Sequence, residues 1–202
     1  MLDALLPLTC PGCGGRGAPL CATCRAGLAP AHGAPPPAGV DAWAAAFAYR
    51  GVARELVARV KYRNARAVVP WLAAAMADAV CAHGLEAAAV CWAPTTAQHR
   101  RKRGFDPAEI LARAVARELG LRCARLLDRG PGPPQTGLTA AARRVGPRFV
   151  ARRGAPSRVL LVDDVATTGA TLAAAAAALR LAGARRVVAV TAARTPPPGS
   201  HA

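Results

Sequence analysis

Apolar residues along this chain fall into two alternating kinds of run. Unbroken runs occur at AWAAAFAY (42–49), AAVCW (88–92), RVLLV (158–162) and RRVVAVTAA (185–193). Runs of this length, bounded by turn residues, read as strands buried on both faces. Between them, apolar positions recur every three or four residues. This is clearest in GVARELVARV (51–60), is blurred by alanine in the stretch from about 65 to 83, recurs in FDPAEILARAVARELG (105–120) and is blurred again at 170–182. That spacing predicts helices. In the third of them Asp106 is placed to cap the start, with Pro107 in the first turn and Gly120 just past the end. KYRN (61–64) reads as a short basic loop, and 94–104 as a polar, strongly basic connection. Strands alternating with helices predict an α/β domain with a mostly parallel sheet flanked by helices.

The flanks divide the chain. GLAPAHGAPPPAG (27–39) is rich in proline and glycine and reads as a linker. TPPPGSHA (195–202) reads as a disordered tail. The organisation expected is a small cysteine module at 1–29, a linker at 30–40, the main domain at 41–194 and the tail at 195–202.

The cysteine module carries its own chemistry. Cys10, Cys13, Cys21 and Cys24 read C-x2-C-x7-C-x2-C. Two such pairs supply four thiolates from two tight turns, enough to complete a tetrahedron around a structural Zn2+. A redox dithiol and two local disulfides are the other readings of the same spacing. Cys81, Cys91 and Cys123 sit among apolar neighbours and read as inert.

Charge narrows the partners. The formal net charge is +16, from 27 Lys and Arg against 11 Asp and Glu. Such a balance points to polyanions, nucleic acid or phosphorylated small molecules, or else to a solvated arginine-rich surface. No apolar run is long enough to span a membrane, and the N-terminus lacks a basic export signal. A cytoplasmic protein with no membrane insertion is expected.

The most specific stretch is VLLVDDVATTGATL (159–172). A buried strand leads into Asp163 and Asp164. Then come Val165, Ala166, Thr167, Thr168, Gly169, Ala170 and Thr171, which open a helix. In parallel sheets ligands bind beyond the carboxyl ends of the strands. A helix start offers free N–H groups to an anion, and small hydroxyl residues let the backbone close around it. The two carboxylates would repel that anion, so they face neutral hydroxyls, a cation, or both. A pentose phosphate satisfies both halves. The loop lacks the lysine of the common nucleoside-triphosphate motif, and no G-x-G-x-x-G is present.

VLLVDDVATTGATL resembles the phosphoribosyl-pyrophosphate (PRPP) motif of type I phosphoribosyltransferases. VKYRN, RRKRGFDPAEILA, QTGLTAAARRVGPRF and the preceding cysteine module extend the likeness to nearly the whole chain. Together they resemble the ComF family, which is linked to DNA uptake in natural competence and to use of external DNA. The resemblance implies a type I phosphoribosyltransferase-like fold. It implies that Asp163 and Asp164 hold the ribose hydroxyls and that residues 166–171 hold the 5′-phosphate of PRPP or a ribose 5-phosphate group. Lys61 and Tyr62 would belong to a pyrophosphate loop. Arg101 and Arg103 would close on pyrophosphate from a mobile hood, and Mg2+ would accompany PRPP. Asp106, Pro107 and Gly146 depart from the family pattern, which puts acceptor recognition in question.

Two functional classes follow. One is a phosphoribosyltransferase of unknown acceptor. The other is a non-catalytic single-stranded-DNA-binding competence factor whose pocket is regulatory or vestigial. In that reading His99, Arg100, Arg101, Lys102 and Arg103 track phosphates, and other competence proteins are partners. The plain reading of the same run is a solvated loop.

Overall fold

The computed structural model describes residues 9–16, 20–31, 33–63, 66–130, 147–152 and 154–196. In chain order the elements are α1 (Ala22–Ala26), β1 (Ala42–Ala48), α2 (Gly51–Arg63), a 3-10 turn (Arg66–Val68), α3 (Val69–Ala82), β2 (Ala89–Trp92), α4 (Ala97–Arg103), α5 (Pro107–Glu118), β3 (Arg122–Cys123), β4 (Leu127–Arg129), β5 (Phe149–Ala151), β6 (Arg158–Ala166), α6 (Ala170–Leu181) and β7 (Arg186–Arg194).

Five strands form one parallel sheet in the order β1-β7-β6-β2-β3. β4 and β5 pair antiparallel as a separate two-stranded unit. The expected sheet flanked by helices, with a small cysteine module near the N-terminus, is the architecture observed. The central strands show why. Val159, Leu160, Leu161 and Val162 of β6 are all buried, as are Val187, Val188, Ala189 and Val190 of β7. A strand covered on both faces needs apolar residues at every position rather than at alternate ones.

Two cores result, one on each face. On one side Leu56, Leu72, Met76 and Leu111 of α2, α3 and α5 pack on Val90, Leu160, Val162 and Val190. On the other, Leu172, Ala175, Ala176 and Leu179 of α6 and Leu127 of β4 pack on Cys91, Val159, Leu161 and Ala189. The alanine-rich face of α6 brings that helix close to the sheet. Cys10, Leu20 and Cys24 join the first core, so the cysteine module is seated on the main domain.

The strand order locates the crevice. β2 is followed outward by β3, while β6 is followed in the opposite direction by β7. The order therefore reverses between β2 and β6, and at such a point the connections diverge and leave a cleft beyond the carboxyl ends.

The structure corrects the sequence reading in three places. Lys61 and Tyr62 lie in the last turn of α2, not in a loop, because nothing before position 64 breaks helical geometry. β6 runs on through Asp163 and Asp164 to Ala166, held by pairing with β7 as far as Ala166↔Arg194. The basic connection contains α4, capped by the Thr96 side chain at 3.2 Å from the His99 N–H and ended by Gly104 at φ 77°. The helix 105–120 is as expected, with Asp106 at its N-cap. The tail beyond Pro196, and Gly146 with most of QTGLTAAARRVGPRF, lie outside the described residues.

Candidate functional site

Successive strand residues point to opposite faces, so the two aspartates of β6 serve two sides of the cleft. Asp164 meets α2, with Lys61 Nζ 2.9 Å from its Oδ1. Asp163 faces the side on which Arg129 of β4 lies. It also accepts the backbone N–H of Asp164 at Oδ1, at 2.8 Å. Asp163 is only 9% exposed. Burial, and then the neighbouring Asp164 charge, hold its carboxyl well above the usual carboxylate range. Burial pulls the Lys61 ammonium down, but Asp164 outweighs it and the net shift is upward.

Asp106 enters from the third side. Its Oδ2 accepts the Thr95 N–H at 2.9 Å and its Oδ1 the Ala108 N–H at 3.1 Å. Burial raises its pKa despite these bonds. Arg129 donates to the Pro94 carbonyl at 3.2 Å. Burial lowers its pKa, partly offset by Asp163 and Asp106. Arg103 of α4 stacks over the Tyr62 ring, 4.8 Å from its centre, which joins α4 to the end of α2.

These groups border one cavity of about 260 Å³, lined among others by Lys61, Arg103, Asp106, Arg129, Asp163 and Asp164. Val165 and Thr171 also reach it. A second cavity of about 410 Å³ continues past Lys61, Tyr62, Lys102 and Arg103. A third, of about 290 Å³, opens on the far side of Asp106 and Arg129 and includes Arg100. Arg101 is exposed and lines none of the three.

The hydroxyl loop has a specific geometry. Thr167, Thr168 and Ala170 are exposed, whereas Ala166 and Gly169 are buried. Gly169 sits at φ 75° as the N-cap of α6 and supplies no side-chain cap. Thr168 Oγ1 accepts the Ala170 N–H at 3.3 Å. A Cβ on Gly169 would lie 2.7 Å from Pro37 Cγ, so glycine is required both by backbone angle and by space. The proline-rich stretch thus crosses over the loop. Its end is tied down as well: Asp41 accepts the Val187 N–H at 2.7 Å and pairs with Arg180 at 2.7 Å.

The four sulfurs of Cys10, Cys13, Cys21 and Cys24 lie within 4.8 Å of one another. Cys13 and Cys21 Sγ are 3.8 Å apart. A tetrahedron with metal–sulfur bonds of about 2.3 Å has sulfur–sulfur edges of about 3.8 Å, so the donor set fits such an ion. Cys13 and Cys21 are thus well beyond the roughly 2.05 Å of a disulfide bond. Cys10 Sγ accepts the Gly12 and Cys21 N–H groups, each at 3.4 Å. Burial alone would raise the Cys10 thiol, but backbone N–H groups of Cys21, Cys13 and Gly12 bring it down to about 6. Burial and the surrounding thiols push Cys24 up to about 12. A cluster that already favours one thiolate is suited to a cation.

Sequence reasoning missed Arg129 and Thr95 as lining residues; it read His99 only as part of the basic run, and Asp106 as a helix cap and as a departure that bears on acceptor recognition. Arg129 stands in no local motif. Only the packing of the β4–β5 unit on the α6 face of the sheet brings it to Asp163.

No family model matches the chain, and no curated protein matches it. Solved structures do resemble it. An allosteric regulatory enzyme of purine biosynthesis is 22% identical, with a TM-score of 0.43, over 66% of this chain and 26% of that one. The chain therefore spans about a quarter of that enzyme's length. A protein from Thermus thermophilus is 24% identical, with a TM-score of 0.39, over 66% and 85%. The hypoxanthine phosphoribosyl transferase of Trypanosoma cruzi is 16% identical, with a TM-score of 0.37, over 65% and 68%. The likeness adds nothing to the site, which stands on its own residues.

Proposed function

We propose that the protein binds PRPP, or a ribose 5-phosphate group, at the Asp163–Asp164 cleft, and that it acts as a phosphoribosyltransferase of the ComF kind in DNA uptake or use of external DNA. One observation carries this reading. Both carboxylates sit near the carboxyl end of β6 and line one cavity together with Thr171 from the start of α6 and with Lys61, Arg103 and Arg129. A ligand that carries both anionic groups and a diol matches that set of groups.

In this reading Thr167, Thr168, Gly169 and Thr171 hold the 5′-phosphate at the start of α6. Asp163 and Asp164 accept hydrogen bonds from the 2′ and 3′ hydroxyls. Lys61, with Tyr62 and Arg103 stacked beside it, receives the pyrophosphate. Departure of pyrophosphate leaves positive charge at C1 of the ribose, and the fixed cations stabilise the leaving anion. Mg2+ bound with PRPP supplies further neutralisation of that anion. The Lys61–Asp164 pair must loosen as the sugar arrives, since both partners are claimed by ligand.

We assign the cysteine cluster to a structural Zn2+ held by four thiolates. It packs against α2, where a Cβ on Gly12 would lie 3.2 Å from Val52. The metal thereby steadies the helix whose last turn carries Lys61 and Tyr62.

Calorimetric titration with PRPP and Mg2+ tests the ligand. Binding is expected for the native protein and is expected to weaken at least tenfold in Asp164→Asn. Equal binding by both proteins contradicts the reading.

A second reading is supported by α4. None of its seven residues is buried, and Arg100, Arg101, Lys102 and Arg103 are consecutive. Single-stranded DNA running over this helix would release counterions from its phosphates. A log–log slope of affinity against salt that flattens by about two on neutralising Arg101 and Lys102 supports it. A slope near zero in the native protein excludes it.

A further inference from the structure

The 290 Å³ cavity on the far side of Asp106 is separate in shape from the cleft that holds the sugar in the reading above. It shares with that cleft only Thr95, Asp106 and Arg129. Its volume lies at the lower end for small-molecule pockets, which suits a single ring or ring pair rather than a nucleoside. Trp92 and Pro94 contribute apolar surface to its wall, and Arg100, Arg125 and Arg129 line it beside Asp106 and Asp128.

These cations are not all committed. Arg125 pairs with Asp128 at 2.6 Å, and Arg129 donates to the Pro94 carbonyl. Among the described residues no carboxylate pairs with Arg100. The wall therefore keeps positive charge available for an anionic group.

Asp106 stands where the two cavities meet. It is 5% exposed, and among the described residues no cation lies within ion-pair distance of it. Its oxygens accept backbone N–H bonds from Thr95 and Ala108. A carboxylate has about four lone-pair sites, so room for a further hydrogen remains, and Asp106 lines both cavities. The N-cap bond fixes the carboxylate in place, which a proton acceptor needs.

We propose that this cavity is the acceptor chamber, taking a small ring compound that bears both a nucleophilic N–H and a carboxylate or phosphate, with Asp106 receiving the N–H proton. The step balances simply. The acceptor nitrogen forms a bond to C1 of the ribose as the C1–oxygen bond to pyrophosphate breaks. The bonding electrons leave with pyrophosphate, and the proton passes from nitrogen to Asp106. Arg100 holds the anionic substituent away from C1.

The proposal rests on PRPP occupying the Asp163–Asp164 cleft, so PRPP binding is measured first by calorimetry. If PRPP does not bind, that reading fails and the acceptor claim falls with it. If it binds, orotate and anthranilate are added as anionic N–H acceptors, and adenine and hypoxanthine as neutral ones, with pyrophosphate release followed. At least one anionic acceptor is expected to stimulate release about tenfold more than the neutral pair. Arg100→Gln is expected to weaken that acceptor about tenfold more than it weakens PRPP. Asp106→Asn preserves the cap and is expected to slow release at saturating substrates about 100-fold, the scale of a lost proton acceptor. PRPP binding with no anionic acceptor bound or used, or release indifferent to Asp106→Asn, would overturn the proposal.

Discussion

Lys61 Nζ lies 2.9 Å from Asp164 Oδ1, tying the last turn of α2 to the end of β6. The two side chains are 20% and 14% exposed, so neither charge is well solvated without the other. Lys61→Met is expected to cost about 1–3 kcal/mol, much of it from the stranded carboxylate. Asp164→Asn in the same background should restore part of that loss. Urea unfolding of the four proteins gives the coupling energy, expected at about 1–3 kcal/mol. Additive losses would show that the pair contributes nothing.

Asp163 gives a pH signature. Its folded-state pKa is raised by burial and by Asp164. Above the ordinary value of 3.8 the unfolded chain releases this proton while the folded chain keeps it. The stabilisation is therefore complete below that value and declines as pH rises toward the raised pKa. Asp163→Asn, which retains an oxygen for the Asp164 N–H, removes this dependence. Relative to native protein, the variant should gain thermal stability at pH 7.5 compared with pH 4.5. An equal difference at both values would mean that Asp163 titrates normally.

Much of this was legible beforehand, for identifiable reasons. The central strands are apolar at every position, and α5 carries its cap and stop residues in order, so both could be read locally. The failures were also local. A basic cluster such as KYRN suggests a loop, yet nothing in Lys61 or Tyr62 stops a helix. The apolar run of β6 stops before its first carboxylate, but pairing with β7 carries the strand past it. In the site, Asp163, Asp164 and Thr171 were legible because one motif holds them. Arg129 was not, because tertiary packing of the β4–β5 unit, not sequence spacing, brings it to Asp163.

Gly169→Ala probes the contact between the hydroxyl loop and Pro37. The left-handed angle costs alanine about 1–2 kcal/mol, and the 2.7 Å approach to Pro37 Cγ adds to it. A total loss of about 2–3 kcal/mol is expected in thermal unfolding. Pro37→Gly in the same chain should return the steric part only. No recovery would place the whole cost in the backbone angle.

The cysteine cluster predicts one tightly held Zn2+ per chain by elemental analysis. Cys24→Ser, or chelation, should lower the unfolding midpoint by roughly 6–12 °C, the shift for about 3 kcal/mol in a chain of this size. PRPP affinity should fall as well, through α2. Zinc loss that leaves both quantities unchanged would detach the module from the site.

The central claim is that Asp163 and Asp164 hold a ribose diol while the start of α6 holds its 5′-phosphate. A crystal structure of the protein soaked with PRPP and Mg2+ tests this most directly. The account predicts the diol within hydrogen-bond distance of both carboxylates, the 5′-phosphate against residues 167–171, and the pyrophosphate toward Lys61 and Arg103. A sugar bound elsewhere, or a pyrophosphate seated on the α6 start with the diol turned from the aspartates, would contradict it.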